Sequence, residues 1–125
     1  AMGNNGTNSL SYPAAYNGVI AVGATDSNNV RASFSQYGSH IAVSAPGVNI
    51  LSTLPNSQYG NMSGTSMATP AVAGLAALVK SQQPTLTPAQ VKQKIQSGSD
   101  DFGTPGFDQY YGSGRINVFK TLSQP

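Results

Sequence analysis

Apolar residues gather along this chain in short unbroken runs separated by polar, glycine-rich stretches, and the length of each run predicts its element. Residues 18–25, GVIAVGAT, lie between Asn17 and the polar DSNN. A continuous run of that length predicts a strand buried on both faces, as in a parallel sheet. HIAVSAPGVNILSTLP repeats the signal, with one run over 40–45, a turn at Pro46 and Gly47, and a third strand over 49–54. Residues 66–83 are long enough for a helix and apolar on every side, which predicts a central, buried helix. Gly74 within it costs about 1 kcal/mol relative to Ala, which implies close packing against another element.

TLTPAQVKQKIQSG predicts a second helix of a different kind. Thr87 is placed to cap it, Pro88 suits its first position, Val91 and Ile95 share a face, and Gly98 can end it. It is amphipathic and belongs on the surface. The remainder, DDFGTPGFDQYYGSGRINVFKTLSQ, is turn-rich and closes in a short strand or helix around 115–123. No internal repeat or domain linker interrupts the 125 residues, which are enough for one compact unit with a real core.

Composition narrows the function. Only 8% of residues are charged, against roughly 25% in ordinary globular chains, so Ser, Thr, Asn, Gln and Gly solvate the surface. Six Lys and Arg without a cluster, and a net charge of +2, argue against nucleic acid as partner. No apolar run approaches the ~18 residues of a membrane span, and with no cysteine there is neither a disulfide framework nor a thiolate metal site. The opening AMGNNG reads as the start of a processed or recombinant piece.

Candidate chemistry centres on Ser66, in NMSGTSMATPAVAGLAALV. A serine at a helix start is most often a structural cap. Pro70 is either an interruption just inside a helix that begins at Ser66 or the first residue of one capped by Thr69. Both placements leave Ser66 at the positive helix end, where free N–H groups can hold developing negative charge.

GTSMATP followed by AVAG resembles the nucleophile motif of the subtilisin-like serine proteases, with seven consecutive matches over residues 64–70. Ala71 departs from the histidine usual there, which is not a catalytic group. GNNG at 3–6, YPAAYNGVIAVGATDSNNVRASFSQYG, APGVNILSTLP and YGSGRINV extend the resemblance over essentially the whole chain. It implies the C-terminal portion of an α/β three-layer domain, with a mostly parallel sheet and a buried central helix starting at the nucleophile. In these terms Ser66 is the nucleophile and Asn4 an oxyanion donor, its amide paired with the Ser66 N–H. By residue type alone, Asn4 is a turn residue. Gly3 would wall the pocket for the side chain before the scissile bond, Ser11 would lie near its floor, and Met62 and Ser63 would flank the leaving group. Met2, where the family usually has a small residue, bears on pocket shape. The resemblance also implies a cation site on the carbonyls of Ala14, Tyr16 and Val19. Its carboxylate position is Ala42, so calcium binding is expected to be weak or absent in this portion, and no cofactor is required.

Nucleophilic serine chemistry needs a base and an orienting carboxylate. The one histidine, His40, and the aspartates Asp26, Asp100, Asp101 and Asp108 are the only candidates. Asp26, His40 and Ser66 even follow the subtilisin order. Yet Asp26 sits in a turn and His40 at a strand end, and the His-Gly-Thr-His-type motif of the family is missing. The catalytic Asp and His are therefore expected on residues N-terminal to Ala1 or on a separate chain. The leading expectation is a secreted serine endopeptidase acting on proteins or peptides, partnered by the N-terminal portion of its domain and by a propeptide, with this chain alone insufficient for activity. The competing expectations are an inactive fragment serving as a folding, inhibitory or binding module, and an anion-binding α/β protein. The arm around Asn4 is expected to fray, and the strands to expose an unpaired edge.

Overall fold

The computed structural model describes residues 1–125. Four strands and three helices follow in the order β1 Val22–Thr25, β2 Val43–Pro46, β3 Ile50–Leu54, β4 Gln58–Met62, α1 Thr65–Gln82, α2 Pro88–Ser97 and α3 Val118–Ser123. β1 and β2 pair in parallel, Val22 opposite Val43. β3 and β4 form a separate antiparallel hairpin, Ile50 opposite Met62.

The parallel pair is buried as its apolar runs predict, but it is shorter. Residues 18–21 are not strand, and the second strand starts at Val43 rather than at His40. β4 was not legible in the sequence, and its polar QYGNM is strand because it pairs with β3 around a tight loop. Asn56 and Ser57 turn that loop with φ of 62° and 56°.

α1 places Thr65, Ala68, Val72, Leu75 and Val79 in one stripe, spaced three and four residues apart, against β1 and β2. Ala68, Val72, Leu75 and Val79 of this stripe make the main core together with Val22, Ala24, Ala32, Val43, Ala45, Val91 and Ile95. Burial of α1 on all sides is corrected. Ala71, Ala73, Gly74, Ala77 and Leu78 face outward, and a Cβ on Gly74 would meet nothing within 4 Å. Ile20, Val22, Val72, Ala73 and Ala76 line an open apolar groove beside this face.

α2 is written locally. Thr87 and Gln90 form a reciprocal capping box, Pro88 occupies the first turn, and Gly98 ends the helix. Val91 and Ile95 are buried on one face, as an amphipathic surface helix requires.

The expected free edge is partly covered. Val22 C=O accepts the Met2 N–H at 3.0 Å, Ala24 bonds to Ser35 Oγ and to Ala32 N–H, and the far edge of β2 is taken by residues 114–116. The arm around Asn4, expected to fray, is hydrogen-bonded on both sides of Asn4. Gly3 C=O accepts the Gln36 N–H at 2.9 Å, and Gly6 N–H donates to Phe34 C=O at 2.7 Å.

Candidate active site

Four segments meet at the start of α1: the arm 2–6, the Gly47 turn, the end of the β3–β4 hairpin, and the helix itself. Gly47 allows the approach, since its C=O accepts the Gly64 N–H at 2.8 Å and a Cβ on it would lie 2.7 Å from Ala24 Cβ. Gly64 leads into the helix in an extended conformation with no side chain to cap it. The cap comes from across the chain. Asn4 Oδ1 accepts from the Thr65 N–H and from Thr65 Oγ1, both at 2.9 Å. Thr65 Oγ1 in turn accepts the Gly3 N–H at 3.1 Å.

This arrangement fixes the Asn4 amide. A backbone N–H only donates, so the oxygen faces Thr65 and Nδ2 is turned away with its hydrogens free. Ser66 is the second helical residue, exposed, with no carbonyl four residues back to take its N–H. A Cβ built on Gly64 would lie 3.4 Å from Asn4 Nδ2, 3.5 Å from Met67 Sδ and 3.7 Å from Ser66 N. Asn4 Nδ2, brought from the arm, and the Ser66 nitrogen thus both lie within 3.7 Å of one point beside Gly64. No acidic residue in the first turn offsets the positive end of the helix dipole. Pro70 lies inside α1, so the helix starts at Thr65 and is not capped by Thr69, whose hydroxyl instead donates to Thr65 C=O at 2.8 Å.

The other candidates fall into two groups. Gly3 and Ser11 come together at Gln36, which is 1% exposed; its Nε2 donates to Ser11 Oγ at 3.0 Å and to Ser9 C=O at 2.9 Å. Met62 and Ser63 flank Gly64 on the hairpin side, with Ser63 Oγ accepting the Asn49 N–H at 2.9 Å. Met2 does not shape a surface pocket; it is wholly buried in a small cluster with Ala14, Ala21 and Ile41. Thr65 and Gln36 were not singled out in the sequence. Their roles rest on partners 61 and 27 residues away.

Asp26, His40 and Ser66 share no hydrogen bond. Asp26 Oδ1 accepts the Asn28 and Val30 N–H groups of its own turn, both at 2.9 Å. His40 is half-buried in the turn before β2, more enclosed than a strand end exposed to solvent, and its Nε2 has no partner. It faces the 14–19 loop, where Ala14, Tyr16 and Val19 line a cavity with Lys92 and Gln96. No group of His, Asp or Glu in the chain is arranged to hold a metal ion. No helix is long and apolar enough to cross a membrane.

Known proteins share this architecture. Subtilisin BL of Lederbergia lenta is 50% identical over 118 residues, 94% of this chain and 43% of that protein. An alkaline protease of Alkalihalobacillus alcalophilus is also 50% identical, over 94% of this chain and 30% of its own length. The structure of the prenylagaramide maturation protease PagA superposes with a TM-score of 0.86 at 33% identity, covering 97% of this chain and 47% of that one. The chain thus spans less than half the length of each of these relatives. The sequence profile of the subtilase family matches residues 1–114. With that match and these relatives, the chain belongs to the subtilase family.

Proposed function

We propose that this chain supplies the nucleophile and the oxyanion donors of a secreted, subtilisin-like serine endopeptidase. The observation that carries the reading is the Asn4–Thr65 contact, which brings Asn4 Nδ2 as well as Ser66 N close to one point beside Gly64. Ser66 Oγ attacks a peptide carbonyl while a base takes its proton, and the carbonyl oxygen becomes negative. The two donors and the helix start stabilise that charge. Collapse of the tetrahedral species expels the amine, protonated by the base, and leaves an acyl group on Ser66 that water removes. Gly3 and Ser11 line the pocket for the residue before the scissile bond, and Met62 and Ser63 the leaving-group side. The two relatives and PagA, through their names, support a protein or peptide substrate.

The base and its carboxylate come from outside this chain, on the N-terminal portion of the domain. The outward face of α1 and the groove at Ile20 and Ala73 fit such a portion. Labelling by a fluorophosphonate, with the adduct mapped to Ser66, tests the reading. The chain alone is expected to label and cleave negligibly, and the chain with the N-terminal portion to do both. Ser66→Ala should then lower turnover by about 10⁶, the size known from subtilisin. Cleavage by the chain alone that His40→Ala abolishes overturns the separate-base assignment. A fully assembled protein that fails to label favours the inactive binding or folding module.

A further inference from the structure

The family relation implies a cation on the carbonyls of the 14–19 loop, and the residues around that loop do not fit one. Calcium takes six to eight oxygens, carboxylates among them. The cavity beside the loop is lined by Ala14, Tyr16, Val19, His40, Lys92 and Gln96 among others, and no Asp or Glu contributes to it. Ala42, in the carboxylate position, is a buried methyl group. What the loop has instead is a side-chain cation. Lys92 Nζ donates to Val19 C=O at 3.1 Å, a bond spanning 73 residues from α2 to the segment that leads into β1.

We propose that the Lys92 ammonium is the resident cation of the 14–19 loop, standing in for a metal ion and making this region indifferent to calcium. An ammonium is a compact charge with three donors, one of which meets the Val19 carbonyl. Its charge opposes entry of a second cation into the same small cavity. His40, the other basic group there, presents a buried Nε2 with no partner and adds no anionic ligand. The same face of α2 is tied down one turn later, where Gln96 Nε2 donates to Ala42 C=O at 3.3 Å. Lys92 and Gln96 together clamp α2 to the loop before β1 and to the segment before β2. The arrangement is independent of whether Ser66 is a nucleophile.

Hydrogen exchange of the intact protein, resolved to peptides covering residues 14–19, tests this without any activity readout. Parent, Lys92→Met and Lys92→Arg are compared in EDTA and in millimolar calcium, with Lys120→Met as a distant control. Lys92→Met keeps most of the side-chain stem and should accelerate exchange across the loop by about tenfold, the size of a lost charge-assisted hydrogen bond. Lys92→Arg should restore protection, and Lys120→Met should leave the loop unchanged. In the parent, calcium should not alter exchange at 14–19. Slower exchange there when calcium is added to the parent, or equal exchange in parent and Lys92→Met, overturns the proposal.

Discussion

Asn4 and Thr65 are locked together at the start of α1, with one side-chain oxygen of Asn4 accepting both the backbone N–H and the hydroxyl of Thr65 at 2.9 Å. The contact does two jobs. It satisfies a helix N–H that Gly64 cannot cap, and it leaves the nitrogen of the Asn4 amide free beside Gly64, two residues before Ser66.

Replacing either partner should therefore affect turnover more than substrate affinity. In the assembled enzyme, Asn4→Ala is expected to lower kcat by about 10²–10³, the range known for a subtilisin oxyanion donor, with KM little changed. Thr65→Val removes the hydroxyl that bridges Gly3 and Asn4 but keeps the backbone bond, so a smaller loss of about tenfold is expected. Steady-state kinetics on one peptide substrate separate the cases. A rise in KM at constant kcat for Asn4→Ala would show that Asn4 binds substrate and does not stabilise the transition state.

Met67 places its sulfur about as close to the Gly64 space as the Ser66 nitrogen, at 3.5 Å against 3.7 Å, and is partly exposed. Oxidation to the sulfoxide would put a polar oxygen beside the proposed oxyanion position. Peroxide should thus inactivate the assembled enzyme, and Met67→Ala should resist it. Equal loss of activity in both, followed over the same exposure, would move the sensitive group elsewhere.

What could be read from the sequence follows the range of the interactions involved. α2 was legible almost to the residue because Thr87, Pro88 and Gly98 act within their own helix. The seven-residue run around Ser66 was legible as a motif. β4 was not, because its polar residues become strand only through pairing with β3. The outward face of α1 misled for a related reason. Ala73, Gly74 and Ala77 read as buried, yet nothing within this chain covers them. Thr65 and Gln36 looked like ordinary polar residues, since their partners lie far away in sequence.

Acid should loosen the junction between α2 and α3. Asp100 pairs with Lys120 at 2.6 Å and with Arg115 at 2.9 Å, and accepts from Asn117 Nδ2. The Lys120 hydrogen bond, helped by Asn117 and Arg115, holds its carboxyl down at about 2, against an ordinary 3.8. Its folded value is depressed, so the contribution to stability is complete above the ordinary value and lost as pH falls through the folded one. Thermal midpoints should fall more between about pH 4 and pH 2 in the parent than in Asp100→Asn. Parallel acid profiles for the two proteins would remove Asp100 from the acid response. Lys120 is exposed, so the difference should also shrink in high salt.

Gln36 offers the sharpest test of how the substrate pocket is held. Its backbone N–H bonds to Gly3 C=O, its Nε2 reaches Ser9 and Ser11, and its Oε1 lies opposite the Asn5 N–H at 3.4 Å. One buried amide therefore ties the arm bearing Asn4 to the proposed pocket floor. A Cβ on Gly3 would lie 2.1 Å from Oε1, so the side chain leaves no slack. Gln36→Met keeps similar bulk but loses the polar contacts. It should destabilise the protein by about 1–3 kcal/mol, because several side-chain hydrogen bonds are lost while the backbone bond to Gly3 remains. The decisive measurement is selectivity, read as kcat/KM for paired peptides that differ only in the residue before the scissile bond. Gln36→Met should flatten that ratio, while Gln36→Glu, which replaces the donor by an acceptor, should flatten it further. A variant that melts earlier yet keeps the parent's ratio would make Gln36 a stability residue alone.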